Sequence, residues 1–404
     1  MSDFFQNGTI TTIHNLHNRS LDSLESELKK LGKRWPMTLI LPSLFSELEG
    51  PALGHIIDEL CKVDYLEEIV IGLDRANEEQ FKFAKEYFSR LPQRKNILWN
   101  DGPRLRAIDQ LLADMNLAPT EHGKGRNVWY CFGYFLAAGR SVCVGLHDCD
   151  ILDYDRSMVA RLFYPVMDPT FGFKFCKGYY YRASQGKFNG RVVRLLVTPL
   201  VRALKEIVKD KSYLEYIDSF RYPLAGEFSM FHDAVRSVRI PNDWGLEIGV
   251  LSEIYRNYSS NKICQADIAD SYDHKHQELS ADDIEKGLSK MSVDICKAFY
   301  RKLASTGEIF TKEIFNTLKA TYHRHALDML DRYSADAIVN GFHVDRHLEE
   351  EAIELFARNI MNAGEIYLQR STSATPYLPS WNRIMSALPE ISELMIDAVH
   401  ADNE

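Results

Sequence analysis

The first half of the chain alternates short apolar runs with helix-length amphipathic stretches, and that alternation limits what it can fold into. Met37-Thr38-Leu39-Ile40-Leu41 reads as a buried strand, with a helix from Ala52 to Cys61 after it. Ile69-Val70-Ile71-Gly72-Leu73 reads as a second strand, followed by a charged helical stretch from Glu78 to Arg90. Asn96 to Trp99 fits a short third strand, Arg104 to Met115 and Val128 to Ala138 have helical spacing, and Ser141 to His147 is another apolar strand. Strands and helices in this alternation predict βαβ units, an α/β fold and a mainly parallel sheet. Ligands of such sheets bind beyond the carboxyl ends of the strands. That rule selects the loops Pro42 to Glu47, Asp74 to Asn77 and Asp148 to Asp153, where polar and acidic residues cluster.

Beyond about residue 280 the pattern changes. Ser280-Ala281-Asp282-Asp283 has the form of a helix N-cap with acids in the first turn. From there to Glu404 the chain is amphipathic, rich in Glu, Leu, Ala and Arg, with hardly any strand signal. The expected organisation is an N-terminal helical or extended segment over 1–36, an α/β domain over 37–279 and an α-helical extension over 280–404. The extension is expected to pack on the α/β domain or on a second subunit.

The net charge of -9 argues against a general affinity for nucleic acid. An anionic substrate then needs a local basic pocket, because the global field repels it. No stretch approaches the roughly 18 uninterrupted apolar residues of a membrane helix, and Met1 to Ser20 has no apolar signal core. The seven cysteines show no paired spacing and sit mostly in apolar surroundings. That usage fits reduced thiols and a cytoplasmic protein.

Three segments carry chemistry. In Asp148-Cys149-Asp150, after an apolar strand, both carboxylates can reach one loop-bound cation, and Mg²⁺ or Mn²⁺ commonly binds through one or two carboxylates plus substrate phosphates. Gly123-Lys124-Gly125-Arg126 precedes a helix, where glycines let the backbone approach an anion and Lys124 and Arg126 offset phosphate charge. The spacing is not that of a Walker motif. Tyr272-Asp273-His274-Lys275-His276 offers a histidine to a metal shell, which leans a carboxylate site toward Mn²⁺. Glu227 and Glu247 are acids in apolar surroundings, and each needs a partner such as a sugar hydroxyl or a buried cation. The bland alternatives are helix caps, solvated acids and a surface loop.

Taken in order from about Leu39 to Leu279, these segments resemble the glucosyl-3-phosphoglycerate synthases and the related mannosyl-3-phosphoglycerate synthases, retaining glycosyltransferases of the GT-A fold. Pro42-Ser43-Leu44 is similar to that family's Pro-Ala-Leu turn, Gly123-Lys124-Gly125 to its Gly-Lys-Gly loop, and Asp148-Cys149-Asp150 to its Asp-x-Asp. Gly190-Arg191-Val192, Thr198-Pro199-Leu200, Gly226-Glu227 and Gly245-Leu246-Glu247-Ile248-Gly249 follow in family order, and His274 falls at the metal-binding histidine. Three positions depart from the pattern: Phe45-Ser46-Glu47 stands for Asn-Glu-Glu, Val193 for a hydroxyl residue, and His276 for an Asn.

The resemblance implies a GT-A mixed sheet with a helical C-terminal extension, and a Mg²⁺- or Mn²⁺-dependent transfer of a hexose, glucose first. The donor is a nucleotide sugar and the acceptor a small anion, 3-phosphoglycerate first, in compatible-solute synthesis. GDP-mannose as donor, glycerate as acceptor and a non-catalytic nucleotide-sugar-binding module are the alternatives. Pro42, Ser43, Leu44, Glu47 and Asp74 would line the nucleoside site, and Lys124 would contact the nucleotide or its phosphates. Asp150 and His274 would bind the metal, with Asp148 on the ribose or the metal shell. Glu247 would contact the transferred sugar. Gly190, Arg191 and His276 would receive the acceptor. A homodimer through the helical extension is also implied.

Overall fold

Strands buried on both faces need apolar side chains at every position, which is why the runs at Leu39, Ile69 and Val144 are nearly continuous. The computed structural model describes residue 6 and residues 8–119, 123–184 (Ser184 by backbone alone), 186–241, 245–273, 287–369 and 377–404. Its strands are β1 (Thr11–Ile13), β2 (Met37–Leu44), β3 (Glu68–Asp74), β4 (Arg94–Trp99), β5 (Cys143–Leu146), β6 (Phe175–Tyr180), β7 (Ala183–Ser184), β8 (Lys187–Phe188), β9 (Phe228–Phe231) and β10 (Ile263–Ala269). Eight of them form one sheet in the order β1-β10-β6-β9-β5-β2-β3-β4, and β7 pairs with β8 as a separate hairpin.

Every neighbouring pair in the large sheet is parallel except the two made by β9, which runs antiparallel to β5 and β6. Phe228, at the start of β9, therefore pairs with Leu146 at the end of β5 and with Lys177 in β6. The residues before β9 arrive at the carboxyl edge, beside the residues that follow β5. A sheet parallel throughout would have put Glu227 at the opposite edge.

Alternation along the strands feeds two cores. Ile40, Val70, Val144 and Met230 face one side with Trp129, Phe132 and Leu200, whereas Leu39, Leu41, Ile69 and Ile71 face the other with Val159, Leu162 and Phe163. The helix Lys124–Ala138 belongs to the first core and the helix Ser157–Met167 to the second.

The C-terminal part is helical: Gly287–Ala304, Lys312–Val339, Arg346–Gln369, Trp381–Ala387 and Ile391–Asn403. These helices add Phe299, Phe315, Ile360 and Trp381 to the first core. Trp381 donates from Nε1 to Trp129 O at 2.8 Å, and Trp129 donates from Nε1 to Pro379 O at 2.8 Å, with ring centroids 4.5 Å apart. At the sheet edge, Asn403 accepts from Ile97 N at 3.0 Å and donates to Ile97 O at 2.9 Å. One side-chain amide thus supplies the partner that edge strand β4 lacks. Among the described residues no helix is long and apolar enough to cross a membrane.

Candidate active site

The ends of β2, β3 and β5, the start of β9 and the start of the helix Lys124–Ala138 converge at the carboxyl edge. Lys124 is the first residue of its helix, so the Gly-Lys-Gly segment is the helix N-terminus itself, a few residues earlier than the periodicity predicts. Backbone N–H groups of a first helical turn lack intrahelical partners and suit an anion. Lys124 Nζ lies 2.6 Å from Asp148 Oδ1 and 3.3 Å from Glu247 Oε1, the latter in the first turn of the helix Leu246–Asn257. One ammonium thereby joins three segments that are far apart in sequence.

Two expectations for this loop need correcting. Arg126 does not accompany Lys124: its Nη2 is 2.6 Å from Asp109 Oδ2, and it is buried against the Tyr130 ring. Gly125 serves packing, because a Cβ there would meet Pro241 O at 2.7 Å.

Carboxylates crowd the centre. Burial, followed by the charge of Asp148, pushes the Asp150 carboxyl up to about 6. Burial pushes Glu47 up to about 7, and the charges of Asp150 and Asp148 add to the rise. Glu47 is held by Ser43 Oγ at 3.1 Å and Leu44 N at 3.0 Å, the latter satisfying the N-cap backbone donor of the short helix Phe45–Leu48. Glu227 is fully buried and raised by burial and by Asp148; Tyr180 donates to its Oε2 at 2.8 Å and Tyr272 to its Oε1 at 3.1 Å. Asp74, also raised by burial, accepts from Asn100 at 2.7 Å. Pro42, Ser43 and Leu44 are the last residues of β2, paired with Gly72, Leu73 and Asp74, so the nucleoside candidates of both strands lie side by side.

Lys177 and Arg182 are cations that sequence reasoning missed. Lys177 is fully buried in β6, and burial lowers it to about 8 against the pull of Glu247 and Glu227. Arg182 donates to Tyr222 Oη at 2.8 Å, spans the Tyr222 and Tyr272 rings, and acts on Asp150 through charge. A lysine inside an apolar strand and an arginine after it carry no motif. Their only sequence signal is the nearby buried acids that need them. His147 points into the core instead, with Nδ1 2.9 Å from Tyr154 Oη, and burial lowers it to about 3.

The acceptor candidates Gly190 and Arg191 follow the β7–β8 hairpin. Gly190 has φ +72°, which favours glycine, and a Cβ there would sit 3.3 Å from Arg182 Cβ. Arg191 donates from Nε to Glu349 Oε1 at 3.0 Å. His274 and His276 lie outside the described residues. The segment leading to His274 is described as far as Asp273, whose carbonyl accepts from Leu152 N at 2.9 Å, two residues past Asp150. Among the described residues no three of His, Cys, Asp and Glu converge tightly enough to hold a metal ion.

No protein-family model matches the chain. The glucosyl-3-phosphoglycerate synthase of Persephonella marina is 45% identical over 403 residues, covering 100% of this chain and 99% of that protein. The glucosyl-3-phosphoglycerate synthase of Methanococcoides burtonii is 38% identical over 407 residues, covering 99% of this chain and 98% of that protein. Among solved structures, the glucosyl-3-phosphoglycerate synthase of Mycobacterium tuberculosis in complex with Mn²⁺, UDP-glucose and phosphoglyceric acid superposes with a TM-score of 0.54 at 19% identity. That match covers 72% of this chain and 88% of the other. The same enzyme with Mg²⁺ and UDP gives a TM-score of 0.54 at 20% identity, covering 72% and 86%. Likeness at this identity speaks for the fold, a GT-A glycosyltransferase fold.

Proposed function

This chain belongs to the glucosyl-3-phosphoglycerate synthase family, and we propose that the cluster around Lys124 carries its transfer of glucose from UDP-glucose to 3-phosphoglycerate. The observation that supports the site most is the position of Lys124, at a helix N-terminus and within 2.6 Å of Asp148 and 3.3 Å of Glu247. Pro42, Ser43, Leu44, Glu47 and Asp74 hold the uridine, with Asp148 on the ribose. Lys124 exchanges part of its contact with Asp148 for the diphosphate, and Glu247 takes the hydroxyls of the glucose.

The carboxylates fit a divalent cation. The charge of Asp148 raises Asp150, Glu47 and Glu227, all hard oxygen donors, and that repulsion is what a cation relieves. Asp150 and His274 would hold Mg²⁺ or Mn²⁺. The bound ion supplies Lewis-acid stabilisation of the negative charge that develops on the diphosphate.

In the step itself, the bond from the glucose anomeric carbon to the β-phosphate oxygen breaks as the acceptor hydroxyl oxygen bonds to that carbon on the same face. The hydroxyl proton passes to the departing phosphate oxygen. No side chain is needed as nucleophile, and a diphosphate leaving group needs no strong general acid. Lys124 contributes preorganised charge, which requires no reorganisation at the moment of transfer. Gly190, Arg191 and His276 hold the acceptor's phosphate and carboxylate.

We place the reaction in the cytoplasm, where thiols stay reduced; all seven cysteines are free thiols. We also propose a homodimer through the C-terminal helices, where Ile338 and Val339 are 68% and 86% exposed. Purified protein with Mn²⁺, UDP-glucose and 3-phosphoglycerate is expected to form UDP and an α-linked glucosyl-3-phosphoglycerate, read by NMR. Turnover only with GDP-mannose, or only with unphosphorylated glycerate, would overturn the assignment.

A further inference from the structure

Arg191 is held by a residue from the far end of the chain. Glu349, in the first turn of the helix Arg346–Gln369 and 8% exposed, accepts from Arg191 Nε at 3.0 Å, and its Oε2 lies 2.9 Å from Arg194 Nη1. Arg194 in turn donates from Nε to Asn189 O at 2.8 Å and from Nη2 to Phe188 O at 3.1 Å, with its guanidinium against the rings of Phe188 and Tyr333. These contacts close a ring. Glu349 meets Arg194, Arg194 pins the two carbonyls before Gly190, and the backbone returns through Gly190 to Arg191 and Glu349. A second tie lies nearby, where His343 N donates to Gly186 O at 3.0 Å. The segment that opens this helix therefore holds both the turn and the exit of the β7–β8 hairpin.

We propose that Glu349 is a positioning residue for the acceptor, fixing Arg191 by its Nε so that the two terminal nitrogens face the acceptor's anionic groups. The proposal rests on the reading of Arg191 as an acceptor ligand. A guanidinium is planar with its donors in a fixed fork, so holding Nε aims the remaining N–H groups. Those terminal nitrogens hydrogen-bond none of the described residues. One carboxylate serves two guanidinia, which leaves one positive charge unmatched at the site where an anion is to bind, although the chain as a whole repels anions. A purely architectural pair would need only Arg194, whose side chain is 9% exposed. The second bond goes to Arg191, 26% exposed, where it buries little and orients much.

Glu349→Gln keeps the shape and removes the charge. Its KM for 3-phosphoglycerate is expected to rise about tenfold, the scale of one charge-assisted hydrogen bond. Both kcat and the KM for UDP-glucose should stay within about twofold of the parent. Combined with Arg191→Lys, it should add little to the KM increase of Arg191→Lys alone, since both act through one guanidinium. If Glu349→Gln fails to fold, Glu349→Asp keeps the charge Arg194 needs, draws the carboxylate back from Arg191, and is expected to raise the same KM. An Arg191→Lys variant with an unchanged acceptor KM would overturn the underlying reading. A raised KM in Arg191→Lys with parental values in the Glu349 variants would overturn the positioning role alone. So would a loss spread equally over kcat, both KM values and Tm.

Discussion

A β-carbon on Gly226 would lie 2.3 Å from Asp148 Oδ2. The two residues sit on antiparallel neighbours, one just before β9 and the other just past β5, and Asp148 can hold its place only because residue 226 has no side chain. Gly226→Ala must therefore displace the carboxylate or the backbone before β9. A misplacement of about 1 Å at such a site can cost about a hundredfold. We expect a fall of that order in kcat/KM and weaker UDP binding by calorimetry, with Tm near that of the parent.

Asp150→Ala removes a proposed direct metal ligand, and metal-dependent turnover of UDP-glucose should vanish from steady-state assays. Excess chelator should do the same to the parent, with Mn²⁺ restoring activity. Full activity in chelator would refute a metal-dependent transfer.

Lys124 carries charge that no neutral side chain can replace. Lys124→Gln is expected to lower kcat by about a hundredfold or more, the range found when one preorganised electrostatic contact is removed. Because Asp148 loses its 2.6 Å partner, the metal affinity of this variant, read by calorimetry, should rise as its kcat falls. Parental kcat would show that Lys124 only holds the resting carboxylates apart.

Glu47 gives a pH signature. Its folded-state value of about 7 lies above the ordinary 4.5, so its ionisation costs stability fully above about pH 7. That cost shrinks as pH falls and is gone below the unfolded value. Glu47→Gln should therefore raise the metal-free Tm at pH 8 by clearly more than at pH 5.5. A cation competes with the protons on Glu47 and Asp150, so Mn²⁺ affinity should climb from pH 5.5 to 7.5 with proton release. Calorimetry in buffers of different ionisation enthalpy reads that release.

Trp381 tests the attachment of the C-terminal helices. It is buried against Trp129, with an indole N–H to a backbone carbonyl. Trp381→Ala should cost about 3–5 kcal/mol in chemical denaturation. If the helices were a loosely attached unit, the loss would appear as a separate early transition instead.

Much of the fold was legible in the sequence because β2, β3 and β5 are buried on both faces and read as apolar runs ending at the candidate loops. β6, β9 and β10 were not. Lys177 interrupts the first, β9 has four residues, and Asp267 sits in the third. Lys177 inside a strand suggests solvent, but the acids Glu227 and Glu247 make burial tolerable, and no local pattern reveals that. The same holds for Glu349, which meets Arg191 across 158 residues of sequence. Motif order pointed to the loops that follow strands, and it missed Lys177 inside β6, Arg182 just after it and Glu349 in the C-terminal helices.

The amide of Asn403 that completes the edge of β4 lies 306 residues beyond Ile97. On the ribosome, at about 5–20 residues per second, that distance is about 15 to 60 seconds of synthesis. Throughout that interval β4 can pair with β3 but has nothing on its outer side, and an open edge strand recruits other chains. The nascent protein should therefore depend on chaperone cover late in translation, and variants at Asn403 should show their defect as lost yield of soluble protein before any loss of turnover per folded molecule.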